Sequence, residues 1–379
     1  MTDAIPAAIA TSRPPAMRAT VDDLAQFDAL IDTRSPAEFA EDHIPGAINL
    51  PVLDNDQRAQ VGTLYAQLSP FAARKLGAAL VARNIAAHLE SSLADHPKHW
   101  KPLIYCWRGG QRSGAMTLVL NQIGWGARQL EGGYKAFRRR VVADLAELPQ
   151  RLQFRVLHGP TGSGKTALLE ALQAAGAQVL NLEGLARHRG SVLGGTAAAL
   201  QDEGGEPAPG SDNQPGQKSF ETQIWNALRN FDASRPVYVE SESRRIGRLS
   251  IPAGLFETLV DAPCLRIAAP LPARVAHLLE RYADIYGNPE ALDRRMDYFL
   301  PLHGRATVAQ WRQWITGRDW AALAGAMCST HYDPAYRRGG DALYRRAAEA
   351  QVLQMDTLDR DAIIRAAQTI MQSSGTGNA

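Results

Sequence analysis

The residues with the clearest capacity for chemistry lie at positions 103–113, which read LIYCWRGGQRS. Cys106 follows a short apolar run typical of a buried strand, and a helix is predicted from about Ser113 to Ile123. A glycine- and arginine-rich loop in this setting can point backbone N–H groups at an anion, and it favours a nucleophilic thiolate. An isolated cysteine, in contrast, is more often buried and inert. We therefore predict that Cys106 is catalytic and that an anion binds the loop formed by Trp107, Arg108, Gly109, Gly110, Gln111 and Arg112.

A second candidate site follows residues 153–158, an apolar-rich run predicted as a strand. Residues 159–166 read GPTGSGKT and continue into a helix-forming run. This is the Walker A pattern between a strand and a helix, where the backbone wraps a phosphate and the lysine supplies a point charge. That context favours phosphate binding over the alternative, a plain glycine-rich turn. The predicted diphosphate-binding residues are Gly159, Thr161, Gly162, Ser163, Gly164, Lys165 and Thr166, and Thr166 is also a candidate Mg²⁺ ligand.

An acidic element is predicted after the strand at residues 236–240. Glu240 or Glu242 could hold Mg²⁺ through water, as the Walker B carboxylate does, with Arg244 and Arg245 completing a second phosphate or metal element. The alternative is that these carboxylates only pair with the two arginines. Residues 203–216, rich in glycine, proline and acidic residues, are predicted to form a mobile loop. Glu183, His188 and Arg189 are candidate substrate contacts or ordinary loop charges.

The elements that must position these residues alternate between strands and helices. In the first half, strands are predicted near residues 29–32, 47–49, 103–105 and 127–130, and helices from residue 36, over 70–84 and over 134–146. From about residue 271 the apolar spacing becomes helical, over residues 274–286, 309–315, 320–327 and 342–355. The pattern predicts an α/β protein with a helical C-terminal region.

Composition and length narrow the class of protein. A chain of 379 residues with 45% hydrophobic and 21% charged residues is typical of a soluble globular protein of two or three domains. The three cysteines are widely spaced and form no metal-ligand cluster, which favours a reducing cytoplasm. No leader peptide or membrane span is predicted. The net charge is only +2, but basic residues outnumber acidic ones over residues 101–155, which favours a polyanionic partner or else a solvated helix face.

The first half resembles a rhodanese domain. The resemblance rests on residues 32–39 (DTRSPAEF), 43–49 (HIPGAIN), the Cys106 loop and residues 130–134 (LEGGY), in that order. It implies that Cys106 carries sulfur or selenium, and that Arg34 and His43 fix a turn. The C-x5-R spacing from Cys106 to Arg112 is also that of rhodanese-fold and tyrosine-type phosphatases. Those enzymes usually place His before the cysteine, whereas this chain has Tyr105.

Over roughly residues 20 to 350, the chain resembles the tRNA 2-selenouridine synthase family. The matching stretches are YCWRGG at residues 105–110, the phosphate loop, LEG at 182–184 with HRGS at 188–191, and ESESRRIG at 240–247. The implied domains are a flexible arm (1–18), a rhodanese-like domain (19–148), a P-loop NTPase-like domain (149–270) and a helical, tRNA-contacting C-terminal region with a disordered tail (271–379).

The resemblance implies a two-step reaction on 2-thiouridine at wobble position 34 of tRNA. Geranyl diphosphate first alkylates the sulfur, and selenium from selenophosphate then displaces the geranylthio group. Both compounds are substrates rather than covalent cofactors, Mg²⁺ is a candidate ion, and a selenophosphate-producing enzyme is a candidate partner. The basic segment 128–140 and the helical tail are candidates for contacting the tRNA backbone.

Three other functions remain open from the residues. One is a rhodanese-type sulfurtransferase or persulfide carrier, another is a P-loop kinase or NTPase regulated by a rhodanese module, and the third is a phosphatase. The sequence does not determine which tRNAs are used or whether nucleotide or Mg²⁺ is needed. It also does not determine whether both steps share one pocket, or the oligomeric state.

Overall fold

The structure is a computed structural model that describes residues 18–189 and 214–375. Nearly all of the predicted arm and of the predicted mobile loop, and the end of the tail, lie outside the described residues. The chain divides into two compact units, residues 1–142 and 143–379. Within the described ranges, no helix is both long and apolar enough to cross a lipid bilayer.

Unit 1 is built on a five-stranded parallel sheet in the order β1-β5-β4-β2-β3. Its central strand β4 is buried along its whole length, as expected of a parallel strand covered on both faces. The strands are β1 (Arg18–Ala19), β2 (Ala29–Asp32), β3 (Ala47–Asn49), β4 (Pro102–Tyr105) and β5 (Arg128–Leu130). The helices are α1 (Pro36–Glu41), α2 (Asn55–Gln67), α3 (Pro70–Glu90), α4 (Gln111–Ile123) and α5 (Gly133–Glu147), whose last turn crosses the unit boundary.

Local signals explain several boundaries in unit 1. Helix α1 begins with Ser35 as N-cap, a reciprocal capping box with Glu38, and Pro36 in the first turn. Helix α4 ends at Gly124, whose left-handed backbone (φ +107) satisfies the last carbonyls. Helix α3 runs six residues past the predicted end at Asn84.

Unit 2 contains a second five-stranded parallel sheet, in the order β12-β11-β6-β8-β7. Its strands are β6 (Gln153–His158), β7 (Gln178–Leu180), β8 (Pro236–Glu240), β11 (Cys264–Ala268) and β12 (Gln351–Gln354), and β9 (Arg245–Ile246) with β10 (Leu249–Ser250) forms a separate antiparallel hairpin. The helices before β12 are α6 (Lys165–Ala174), α7 (Leu182–Ala186), α8 (Gln217–Arg229), α9 (Ala253–Val260), α10 (Leu271–Arg281), α11 (Ala283–Tyr286), α12 (Pro289–Arg295), α13 (Leu300–Gly317), α14 (Trp320–Met327) and α15 (Asp333–Leu343). A final helix, α16 (Arg360–Gly375), follows β12.

The helical C-terminal region is confirmed, but the predicted helix over residues 342–355 is wrong. Residues 351–354 form the edge strand β12, which pairs in parallel with β11. Helix α16 then returns to pack against α6, where Leu168, Leu172, Ile363 and Ile370 share one buried cluster. Strand β12 therefore completes the sheet that carries the phosphate loop.

Candidate functional site

Cys106 lies at the carboxyl end of β4, immediately before the loop into α4. Its Sγ atom accepts hydrogen bonds from the backbone N–H of Gly110 (3.3 Å) and from the hydroxyl of Ser113 (3.1 Å). The side-chain amide of Gln129, on β5, donates to that hydroxyl at 2.8 Å. Two donors directed at sulfur stabilise negative charge on it. Ser113 and Gln129 were not anticipated as site residues, because their contribution depends on β5 lying beside β4.

Two glycines allow the Cys106 loop to pack against the start of α5. The N–H groups of Tyr134 and Lys135 donate to the carbonyls of Cys106 and Trp107, both at 2.9 Å. At Gly133 (φ +55), a Cβ atom would lie 2.3 Å from the Cys106 carbonyl oxygen. At Gly109 (φ +65), a Cβ atom would lie 2.6 Å from a β5 carbonyl. The conformation of the Cys106 loop therefore depends on glycine at both positions.

The arginines of this loop are placed differently from one another. Arg112 forms an ion pair with Glu38 of α1, at 2.8 Å. Burial acts to raise the pKa of Glu38, but the hydrogen bond and charge of Arg112 hold that pKa below its usual value. Arg112 is therefore engaged with a carboxylate rather than directed at the loop. Arg108 is exposed and has no ion pair within the described ranges. Of the other two predicted loop side chains, Trp107 packs on the Tyr134 ring at 5.3 Å and Gln111 begins α4 as an exposed residue.

Arg34 and His43 have structural contacts. Arg34 and Asp32 are both fully buried, and the guanidinium donates to the Asp32 carboxylate and to the Asp42 carbonyl oxygen (2.6 Å). His43 is hydrogen-bonded to the Phe39 carbonyl at 2.9 Å. These contacts hold the turn between α1 and β3.

The phosphate loop connects β6 to the N-terminus of α6. Gly162 (φ +79) and Gly164 (φ +83) occupy left-handed conformations, as the wrapping of backbone around a phosphate requires. Lys165 Nζ donates to the carbonyl of Gly159 at 2.7 Å, within its own loop. Thr166 Oγ1 donates to the carboxylate of Glu183 at 3.0 Å. The predicted loop residues are therefore brought together at one helix N-terminus.

Three carboxylates surround the Lys165 ammonium at the carboxyl ends of β7 and β8. The Glu183 N–H donates to Glu240 Oε1 at 2.8 Å, whereas buried Glu240 Oε2 has no hydrogen bond within the part of the chain described. Burial, reinforced by the charge of Glu183, raises the pKa of Glu240 to about 8. Burial and the neighbouring charges of Glu183 and Glu240 also raise the pKa of Glu242, while burial lowers that of Lys165 despite the three carboxylates. Such shifts are typical of functional sites.

The two arginines of the predicted second phosphate element do not pair with these carboxylates. Arg244 and Arg245 are exposed, and Arg245 begins the β9–β10 hairpin. The Arg244 guanidinium lies 6.0 Å from the ring of Phe256 instead. Arg244 lies only four residues after Glu240, the last residue of β8, but the chain changes direction between them. Closeness in sequence therefore does not place the arginine beside the carboxylates. The alternative of a Glu240–arginine pair is not seen either.

A cavity of about 570 Å³ opens beside the phosphate loop, entirely within unit 2. Its polar end is formed by Thr161, Gly162, Ser163, Gly164, Lys165, Thr166, Glu183, Ser241, Glu242 and Ser243. Most of the remaining lining, here called the aromatic wall, is formed by Leu278, Tyr282, Tyr332, Ala335, Tyr336, Leu343 and Tyr344, with His277 and His331 beside it. The predicted turn at residues 332–338 is instead helical: Tyr332 ends a short π-helical segment, and residues 333–338 lie in α15, which contributes to this wall. The residues of the aromatic wall form no recognisable motif in the sequence.

Of the candidate substrate contacts, Glu183 and Arg189 line this cavity and His188 does not. Arg189 pairs with Asp284 at 2.9 Å and lies over the ring of Tyr282 at 5.0 Å. Within residues 18–189 and 214–375, no three His, Cys, Asp or Glu side chains are placed to ligate one metal ion.

Comparison with known proteins gives a consistent result for both units. Residues 17–140 match the rhodanese-like domain, and residues 152–291 match the tRNA 2-selenouridine synthase AAA domain. A tRNA 2-selenouridine synthase of Bdellovibrio bacteriovorus is 38% identical over 262 residues, which cover 67% of this chain and 64% of that protein. One of Nitrosomonas europaea is 36% identical over 257 residues, covering 67% of this chain and 63% of that protein. The match thus spans slightly less than two thirds of the length of these curated relatives.

Proposed function

This chain belongs to the tRNA 2-selenouridine synthase family, and we propose that it geranylates the sulfur of wobble 2-thiouridine in tRNA and then replaces the geranylthio group with selenium. The observation that carries this proposal is the cavity of unit 2, which is lined both by the phosphate loop and by the aromatic wall. A ligand with a diphosphate head and an apolar chain complements both parts of this lining. Geranyl diphosphate has that chemistry.

The phosphate loop binds the diphosphate leaving group. Backbone N–H groups at the start of α6 and the ammonium of Lys165 neutralise the charge that develops as the carbon–oxygen bond breaks. The geranyl chain lies along the aromatic wall, in a cavity whose 570 Å³ falls within the range of about 300–1,000 Å³ usual for small-molecule sites. Tyrosine faces also stabilise positive charge on the allylic carbon.

The oxygen atoms of Thr166 and Glu240, both next to Glu183, also fit Mg²⁺. The buried Oε2 atom of Glu240 has no hydrogen bond among the described residues, and the Thr166 hydroxyl lies against Glu183. Thr166 and Glu240, the latter through water, would hold the ion together with phosphate oxygens. When bound, Mg²⁺ supplies further charge neutralisation for the diphosphate.

The Cys106 loop acts in the selenium step. Its backbone N–H groups bind the phosphate end of selenophosphate, and the Cys106 sulfur, which accepts hydrogen bonds from Ser113 and Gly110, acts on the selenium. Alkylation makes the sulfur a thiolate leaving group, so the selenium of selenophosphate can add at C2 of the base and expel geranylthiolate. Water then cleaves the selenium–phosphorus bond, which releases phosphate and leaves selenium on C2. The exposed residues Lys135 and Arg139 of α5 are candidates for holding the tRNA backbone.

The test is reconstitution with 2-thiouridine tRNA, geranyl diphosphate and selenophosphate, omitting one component at a time, with nucleosides identified by mass spectrometry. Lys165→Ala is expected to lower the geranylation rate by about 10²–10³-fold, the usual cost of removing one transition-state charge contact. Cys106→Ala is expected to leave geranylation intact and to abolish 2-selenouridine formation. Lys75→Ala, on the exposed face of α3, and Cys264→Ala, in β11, are the matched controls.

The competing functions give different results. ATP turnover that depends on Lys165, without geranylation, would indicate an NTPase. Sulfur transfer from thiosulfate that depends on Cys106 but not on Lys165 would indicate a sulfurtransferase. Hydrolysis of phosphate esters that depends on Cys106 would indicate a phosphatase.

A further inference from the structure

A short π-helical segment, residues Cys328–Tyr332, joins α14 to α15 at the edge of the unit 2 cavity. Single π turns within helices are rare and occur frequently at functional sites. Two consecutive residues of this segment, His331 and Tyr332, line the cavity. The turn therefore brings a histidine to the site that holds the phosphate loop.

His331 is paired with a second histidine. Its Nδ1 atom lies 2.9 Å from Nε2 of His303, which precedes the kink at Gly304 in α13. The His331 ring also packs edge-on against Phe299, with centroids 5.0 Å apart. Among the described residues, no hydrogen bond engages Nε2 of His331. One ring nitrogen is thus fixed by a partner and the other is available to a substrate.

Buried Arg274 ties this segment to the phosphate loop. The guanidinium donates to the carbonyl of Thr161 at 3.0 and 2.7 Å, and to the carboxylate of Asp333 at 2.9 and 2.7 Å. Asp333 is the residue directly after the π-helical segment. His331 and the diphosphate-binding loop are therefore positioned relative to each other through one partly buried ion pair.

S-alkylation of 2-thiouridine requires a base. In the thione form N3 carries a proton, and the alkylated product has a C2=N3 double bond, so that proton must leave. We propose that His331 is the general base that accepts the N3 proton during geranylation, and that His303 is a positioning residue; this rests on the proposed function. The sulfur–carbon bond forms, the carbon–oxygen bond breaks, and diphosphate leaves with that electron pair. The N–H electron pair becomes the C2=N3 bond, while the proton moves to Nε2 of His331.

The hydrogen bond to His303 selects the required tautomer. For Nε2 to accept a proton, Nδ1 must carry one, and it then donates to Nε2 of His303. Burial lowers the pKa of His331, and the nearby His303 and Arg338 lower it further. The imidazole is therefore neutral at pH 7 and ready to accept a proton.

The experiment is single-turnover geranylation of 2-thiouridine tRNA from pH 5.5 to 8.5, with geranyl diphosphate binding measured separately by calorimetry. His331→Gln is expected to reduce the rate at pH 7 by about 10²-fold or more, the usual contribution of a general base. It should leave geranyl diphosphate affinity within about threefold, and His331→Ala should regain rate on addition of imidazole. The wild-type rate should rise with pH to a plateau, with its midpoint below the usual histidine pKa of 6.5.

His303→Gln is expected to shift that midpoint and to lower the rate less than His331→Gln does. His99→Gln, on the exposed surface of unit 1, is the matched control. The proposal is overturned if His331→Gln keeps the wild-type rate and pH profile, or if its rate falls only in proportion to lost geranyl diphosphate binding. A wild-type protein that forms no geranylated nucleoside would instead refute the proposed function itself.

Discussion

Replacing Glu240 by Gln should change how the stability of unit 2 depends on pH. Glu240 is fully buried, and its pKa is raised from 4.5 to about 8, first by burial and then by the charge of Glu183. Between these values the folded state binds a proton that the unfolded state releases. The stabilisation from this protonated form is therefore fully present below about pH 4.5 and is lost progressively as the pH rises to about 8.

The size of the effect follows from the two pKa values. They differ by about 3.5, and each pKa unit corresponds to about 1.36 kcal/mol. The unfolding free energy of the wild-type protein therefore falls by up to about 5 kcal/mol across this pH range. Glutamine has the shape of the protonated carboxyl group and cannot ionise. Its side-chain oxygen can still accept the N–H of Glu183. The unfolding free energy of Glu240→Gln should therefore not fall in this way, and the variant should be more stable than wild type at pH 8.5.

The assay is urea unfolding at pH 5 and at pH 8.5 in metal-free buffer with a chelator. Pulse proteolysis, with surviving fragments identified by mass, assigns the transition of residues 143–379. The difference in unfolding free energy between Glu240→Gln and wild type should grow by several kcal/mol between the two pH values. Glu257→Gln, on the exposed face of α9, should follow wild type. Equal pH dependence in Glu240→Gln and wild type would refute the buried, protonated carboxyl group.

Two further predictions concern unit 1. Arg34→Met leaves the carboxylate of Asp32 buried without its partner and should destabilise this unit by about 3–5 kcal/mol in urea unfolding; a loss below 1 kcal/mol would contradict the role assigned to the pair. Gly133→Ala places a Cβ atom 2.3 Å from the Cys106 carbonyl oxygen and should abolish 2-selenouridine formation while geranylation continues. Its control is Gly62→Ala, because a Cβ atom at that position meets nothing within 4 Å. Normal 2-selenouridine formation by Gly133→Ala would show that the Cys106 loop can shift without loss of function.

The parts of the fold that the sequence predicts well are those encoded by neighbouring residues. Helix α1 has its N-cap, capping box and proline within four residues, and β2 was predicted with its observed ends. The phosphate loop carries its glycines and lysine in one short stretch, so its position between β6 and α6 follows directly. Similarly, the place of Cys106 follows from an apolar strand that runs directly into a glycine-rich loop.

Features that depend on distant pairing were not predictable in this way. Residues 351–354 form a strand only because β11 lies beside them, and alone their apolar content does not distinguish a short strand from a helix. The position of Arg112 in the loop predicts that it contacts the anion. Its guanidinium instead donates a hydrogen bond to Glu38, which lies 74 positions earlier in the sequence. The aromatic wall likewise collects tyrosines from α10 to Tyr344, which share no motif.

The two candidate sites use the same backbone arrangement for different chemistry. Each lies where a central parallel strand, β4 or β6, ends in a glycine-containing loop before a helix N-terminus, which is where such sheets bind anions. What differs is the functional group that the loop presents. In unit 1 a cysteine begins the loop and receives two hydrogen bonds at sulfur, which suits transfer of a chalcogen atom. In unit 2 a lysine lies near the end of the loop, in the cavity lined by the aromatic wall. This arrangement suits departure of a diphosphate from a hydrocarbon chain. The Lys165 and Cys106 variants should therefore block different steps, and a single variant that stopped both would indicate that the steps share residues.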